Sequence, residues 1–150
     1  MPSILRGAVL LAPVALSAAP VFAFTAEQAA AGRISYGQVC VACHGADLQT
    51  LPNARLVGPD FASRWQDRGV NELLSKVSAT MPPESPGALP ENIYLNVLAY
   101  ILQQNGAGPG TERLTTATRT TIGSLFNGVP AGAAAARAPM PATRTGDSSP

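Results

Sequence analysis

The chain has 150 residues, 46% hydrophobic and only 5% aromatic, and its ten basic against nine acidic side chains leave a formal charge of +1. That balance offers no basic footprint for a nucleic acid, and the length allows one ordinary domain with extensions rather than two. Two cysteines and one histidine in all also exclude a structural zinc site built from two separated ligand pairs.

Met1 to Arg6 is short and carries one positive charge, Ala8 to Ala19 is apolar, and Val21-Phe22-Ala23 provides small or permissive residues for a signal peptidase. This three-part layout predicts an export signal over residues 1–23, cut after Ala23 or a few residues away. Left uncleaved, the stretch up to Phe24 sits at the short limit of ~17 residues for a bilayer span and is broken by Pro13 and Pro20. Membrane attachment is therefore expected only if the signal is retained, and a bacterial periplasmic location follows from its removal.

Thr25-Ala26-Glu27-Gln28 has the form of a capping box, with Thr25 as N-cap and Gln28 at the third helical position. The helix it opens runs toward Cys40-Val41-Ala42-Cys43-His44, the attachment signature of a c-type haem. The spacing has a chemical reason: two thiols three residues apart in one helical turn can each bond a vinyl group of the same porphyrin. The adjoining imidazole then reaches the iron. A thioredoxin-like pair would follow a strand, and none precedes Cys40. A disulfide across two intervening residues closes a small, strained ring. The pentapeptide uses every cysteine and histidine of the chain, which predicts one covalently attached haem c, tethered by Cys40 and Cys43 and ligated by His44.

Further on, Phe61 to Gln66 suits a short turn, and Asn71 can cap a helix over Glu72–Ser78 whose Leu73, Leu74 and Val77 share one side. Thr80-Met81-Pro82-Pro83-Glu84-Ser85-Pro86-Gly87 is a stiff loop, because each proline fixes a backbone dihedral and lacks an amide donor. Met81 is the candidate sixth ligand, since Met1 leaves with the signal and Met140 lies near the C-terminus; water or Lys76 is the alternative. Without a second histidine, two-histidine ligation is excluded. Pro90 suits a first helical position, Ile93, Tyr94, Val97, Leu98, Ile101 and Leu102 form a wide apolar stripe, and Asn105-Gly106 stops the helix. No strand is required, so the fold class is all-α. From Thr115 to Pro150 the chain is rich in threonine and alanine without periodicity and reads as a low-complexity, disordered tail; only Ile122-Gly123-Ser124-Leu125-Phe126 could dock on the domain or a partner. The domain left over, 24–114, holds six basic against eight acidic side chains. It is small enough to need the haem as part of its core, so the apoprotein should fold poorly.

These residues together resemble class I cytochromes c over essentially all of 24–114. The resemblance implies a small fold wrapped around one haem, in which the first and last helices cross closely at a small residue. Gly32, Tyr36 and Tyr100 are similar to that contact. Gly45-Ala46-Asp47-Leu48, Leu56-x-Gly58-x-x-Phe61 with Trp65, the Met-Pro-Pro loop with Pro86-Gly87, and Tyr94-x-x-Val97-Leu98-Ala99-Tyr100-Ile101-Leu102-x-x-Asn105-Gly106 resemble the cytochrome modules that accompany pyrroloquinoline-quinone (PQQ) alcohol dehydrogenases. By the same resemblance Leu48 and Trp65 belong to the haem pocket, Trp65 being able to donate to a propionate. One departure stands out. Such proteins usually place a proline about ten residues after the histidine, its carbonyl accepting the Nδ1 proton, and this chain has Ala54 there, between Pro52 and Pro59.

Ligation by His44 and Met81 would leave no open iron position, so the expected role is not enzymatic. It is that of a one-electron carrier of the respiratory chain, with a periplasmic dehydrogenase as donor and an oxidase or another cytochrome as acceptor. Docking should be largely apolar and short-lived, since the chain has a single lysine. The alternatives are a haem whose sixth position opens to a small gas or peroxide, and a tethered electron-transfer subunit of a larger enzyme.

Overall fold

The computed structural model describes residues 22–126. Five helices follow in order, α1 (Ala26–Val39), α2 (Val41–His44), α3 (Pro59–Trp65), α4 (Val70–Thr80) and α5 (Glu91–Gln104), with a 3-10 turn at Ile122–Leu125. Among the described residues the only extended pairings are two isolated bridges, Thr25 with Gly110 and Gly69 with Thr121. The fold is all-α. No helix among these residues is long and apolar enough to cross a membrane.

Capping chemistry sets where the helices begin. The Thr25 hydroxyl accepts the Gln28 N–H at 3.2 Å, one half of the expected box. The other half is not formed, because the Gln28 amide turns instead to Leu114, donating to its carbonyl at 2.9 Å and accepting its N–H at 2.8 Å. α4 starts ahead of the expected Asn71 cap. Gly69 is its N-cap, and the Glu72 carboxylate reaches back to the Gly69 N–H at 3.1 Å, which leaves Val70 free to be buried as the first helical residue. Pro90 caps α5 from just outside rather than opening it.

α5 is the central element, buried at every residue from Tyr94 to Leu102 and packed against both α1 and α4. The α1–α5 crossing depends on Gly32. A Cβ at that position would collide with the Asn96 main-chain carbonyl and come within 3.0 Å of the Tyr100 Cβ. One turn on, the Tyr36 and Tyr100 rings meet with centroids 5.4 Å apart and planes tilted by 53°, a favourable aromatic geometry.

Disorder was the expectation from Thr115 onward, with docking allowed only for Ile122–Phe126; in the structure 115–126 lies against the domain. The chain after α5 straps the domain: Gly110 N–H donates to the Phe24 carbonyl at 2.8 Å, Val70 N–H to Thr120 at 3.0 Å, Ile122 N–H to Arg68 at 2.9 Å and Gly123 N–H to Gln66 at 2.7 Å. Leu114, Ile122 and Leu125 are buried. Average composition hides this, because two large apolar anchors and a few main-chain bonds are enough to hold a threonine-rich segment. The rest of the expected tail, 127–150, and nearly all of the export signal lie outside the described residues. The expected cleavage point does not, and it falls between two buried side chains, Ala23 and Phe24.

Candidate haem site

α1 ends where Cys40 donates its N–H to the Tyr36 carbonyl at 2.9 Å, and α2 continues for one turn, the His44 N–H meeting the Cys40 carbonyl at 2.9 Å. This places Cys40, Cys43 and His44 around a single turn. Both thiols are free, Cys40 half-buried and Cys43 exposed. Burial, with a smaller contribution from Cys43, pushes the Cys40 thiol up to about 11. A redox or metal-binding cysteine needs the opposite shift, which argues against the thioredoxin-like reading. Among the described residues no three histidine, cysteine or acidic side chains gather into a metal site.

His44 is buried, and its Nδ1 has no hydrogen bond of ordinary geometry. Burial lowers its pKa, while the Ala54 carbonyl acts in the opposite sense by favouring the protonated ring. Ala54 stands at the position where the resemblance leads one to expect a proline, and His44 Nδ1 makes no hydrogen bond to it in this structure.

Met81 caps the C-terminus of α4, its N–H on the Val77 carbonyl at 2.8 Å, and is half-buried. Two side chains tie the candidate ligand segments to the α1–α5 pair, and a third ties the loop between those segments. The Tyr36 hydroxyl donates to the Gly45 carbonyl at 2.7 Å, directly after His44. The Tyr94 hydroxyl donates to the Met81 carbonyl at 2.7 Å. Asn105 donates to the Leu56 carbonyl at 2.9 Å and accepts the Gly58 N–H at 3.1 Å. By sequence Tyr94 belongs to an apolar stripe and Asn105 to a helix stop, both within a resemblance motif, and neither bond is evident from that.

Leu48 is buried within the main core cluster and takes a left-handed backbone, φ 62°, a conformation that costs a non-glycine residue about 1–2 kcal/mol. Its carbonyl accepts the Leu56 N–H at 2.9 Å, so it links the His44 turn to the following loop. Trp65 is half-buried, with the Arg68 guanidinium 5.3 Å above its ring. It borders a solvent-open hollow of about 690 Å³ shared with Arg64, Arg68 and Lys76. None of Cys40, Cys43, His44 or Met81 lines that hollow, so it is not the seat of the candidate ligands.

The residues present fit a haem. Two free thiols and a buried, unpartnered imidazole share one turn. Leu56, Val57, Trp65, Leu74, Val77 and Ile93 pack on the core yet stay half-exposed, which is apolar surface that a large flat group would cover. Lys76, the alternative ligand, is exposed on α4.

The family model described as "Cytochrome C oxidase, cbb3-type, subunit III" matches residues 27–101, half of the chain, from the first turn of α1 to the last turn of α5. The chain belongs to this family of c-type cytochromes. No curated protein and no solved structure matches it. The cytochrome carries covalently attached haem c and is a haem-based electron-transfer module that works with redox partners, not itself a catalyst.

Proposed function

We propose that this cytochrome is a periplasmic one-electron carrier whose haem is tethered by Cys40 and Cys43 and held between His44 and Met81. The observation that carries the reading is the shared frame: the α1–α5 pair pins the chain at Gly45, beside His44, and at Met81 itself. The haem, when bound, supplies the ferric/ferrous couple. The His44 imidazole and the Met81 thioether would be its two donors, with Tyr36 and Tyr94 holding the main chain at Gly45 and Met81. A thioether donor favours the ferrous state and raises the potential. Leu48 backs the site from the core side. The Trp65 indole N–H is available to a propionate.

The dehydrogenase-module resemblance of the Gly45–Leu48, Leu56–Trp65 and Tyr94–Gly106 segments favours a quinoprotein dehydrogenase as donor and an oxidase or another cytochrome as acceptor. The family's description names an oxidase subunit, and that favours a second reading, an electron-entry module attached to an oxidase. We read residues 1–23 as an export signal and 127–150 as a low-complexity tail. Mass spectrometry of the periplasmic protein tests the site: one haem mass on a chain beginning at or near Phe24, with attachment impaired in Cys40→Ser and Cys43→Ser. Stopped-flow mixing of the ferric protein with a quinoprotein alcohol dehydrogenase and its alcohol tests the donor. Fast, saturable reduction supports the carrier reading. Failure of reduction, together with co-purification with an oxidase, supports the second.

A further inference from the structure

α5 ends at two residues with different tasks. Gly106 takes the left-handed backbone, φ 96°, while Asn105 before it keeps φ −87°, a conformation open to any residue. Stopping the helix therefore does not call for asparagine at 105. Its side chain is committed elsewhere: Nδ2 donates to the Leu56 and Ile101 carbonyls, both at 2.9 Å, and Oδ1 accepts the Gly58 N–H at 3.1 Å. These partners fix which way the amide points. Exchanging its oxygen and nitrogen would set donor against donor at Gly58 and acceptor against acceptor at Leu56 and Ile101.

The two loop partners flank Val57, so one amide holds the peptide unit on each side of that residue. Leu56 is held from both directions, its carbonyl by Asn105 and its N–H by the Leu48 carbonyl at 2.9 Å. Leu48 donates in turn to the Gly45 carbonyl at 3.3 Å, directly after His44. A run of hydrogen bonds thus joins the end of α5 to the Cys40–His44 turn, and Leu56 stands within it. The Leu56 side chain packs on the core cluster yet stays half-exposed, although full burial of a leucine is worth about 1.5–3 kcal/mol. A leucine pinned on both sides of its α-carbon, tied to the candidate ligand turn and partly bare, has the properties of a pocket wall.

We propose that Asn105 is a positioning residue for the haem pocket: its amide holds the 56–58 loop to the end of α5 so that the Leu56 side chain covers bound haem and keeps water from it. Apolar cover around a metal controls solvent access and hence potential. Water at the haem favours the more highly charged ferric state, so Asn105 raises the potential through a residue it holds. This inference rests on the reading of Cys40–His44 as the haem-binding turn.

The test uses the full-length, haem-loaded protein. In the ferrous parent the Leu56 methyl resonances carry the ring-current shift of groups lying over a porphyrin. Asn105→Leu keeps a similar volume and loses the bonds to Leu56, Gly58 and Ile101. Its Leu56 amide exchanges with deuterium roughly tenfold faster, its Leu56 methyls move toward their ordinary positions, and its midpoint potential falls. Amides in the middle of α1 and α5 keep their exchange rates. Leu56→Ala leaves the main-chain bonds in place and lowers the potential without speeding exchange at residue 56. Should Asn105→Leu fail to fold, Asn105→Ser keeps a polar helix end without the reach to Leu56 and gives the same changes. Exchange that quickens equally through α1 and α5 marks a merely structural role and overturns the proposal. So does an unchanged potential and Leu56 exchange rate, and so do unshifted Leu56 methyls in a parent whose His44 ring resonances are haem-shifted. Absence of haem-shifted His44 resonances in the parent overturns the reading of the turn instead.

Discussion

Gly32→Ala is the sharpest perturbation of the frame that carries the site. In an unencumbered helix the change would stabilise by about 1 kcal/mol through propensity alone. Here the new methyl enters the space of the Asn96 carbonyl and lies 3.0 Å from the Tyr100 Cβ. Asn96 presents main chain from the middle of α5, so no rotamer change relieves the clash and the helices must separate. Overpacking of this kind costs about 1–3 kcal/mol, and disturbing the Tyr36–Tyr100 pair costs about another 0.5–1.5 kcal/mol. With the backbone contact at the upper end, the net is a loss of about 3 kcal/mol. At ~4–8 °C per kcal/mol for a domain near 100 residues, Tm falls by roughly 12–24 °C. Thermal unfolding of the haem-loaded protein followed by circular dichroism reads this directly. An unchanged or raised Tm would refute the close α1–α5 approach, because that is what propensity alone produces at an open helix position.

Gln28→Ala leaves the Leu114 N–H and carbonyl buried without partners; a loss of about 2–4 kcal/mol is expected, with the Val70, Ile122 and Gly123 amides losing hydrogen-exchange protection as the strap detaches. Tyr94→Phe removes the bond to the Met81 carbonyl at about 1 kcal/mol, and the sulfur–iron absorption of the ferric protein fades at a lower temperature than in the parent. Burial holds the His44 pKa below its ordinary 6.5, so without haem the unfolded chain takes up the proton first. The stability this provides is present above pH 6.5 and is lost as pH falls through that range. The residual helix of the haem-free protein, followed by circular dichroism on either side of pH 6.5, declines on the acid side, and His44→Gln flattens the dependence.

The local features of this chain were legible before its fold was known. The thiol–imidazole turn, the Thr25 cap, the stiff methionine loop and the long apolar helix each announce themselves within a few residues, because their chemistry is a matter of short spacing. What escaped were pairings between distant residues. Gln28 was read as the partner of its own helix start, where a side chain of that length has a second choice, and only the folded chain brings Leu114 within reach. The bonds of Asn105 to Leu56 and Gly58 escaped for the same reason, since a polar side chain at a helix end does not declare which loop it will hold. Residues 115–121 were read from average composition, which hides their main-chain bonds, while Ile122–Phe126 stood out by its apolar side chains without showing where it would dock. Gly32 and Tyr100 were matched through resemblance, while the main-chain partner at Asn96 needed the structure.

The central claim is that Met81 completes the iron's coordination, and spectroscopy of the haem-loaded protein in both oxidation states tests it most directly. The account predicts a low-spin ferric spectrum with the weak long-wavelength band of sulfur–iron ligation, a reduced form indifferent to carbon monoxide, and loss of both properties in Met81→Ala. A high-spin ferric spectrum in the parent protein, with a reduced form that shifts on adding carbon monoxide, would contradict it and make an open, ligand-binding iron the correct description.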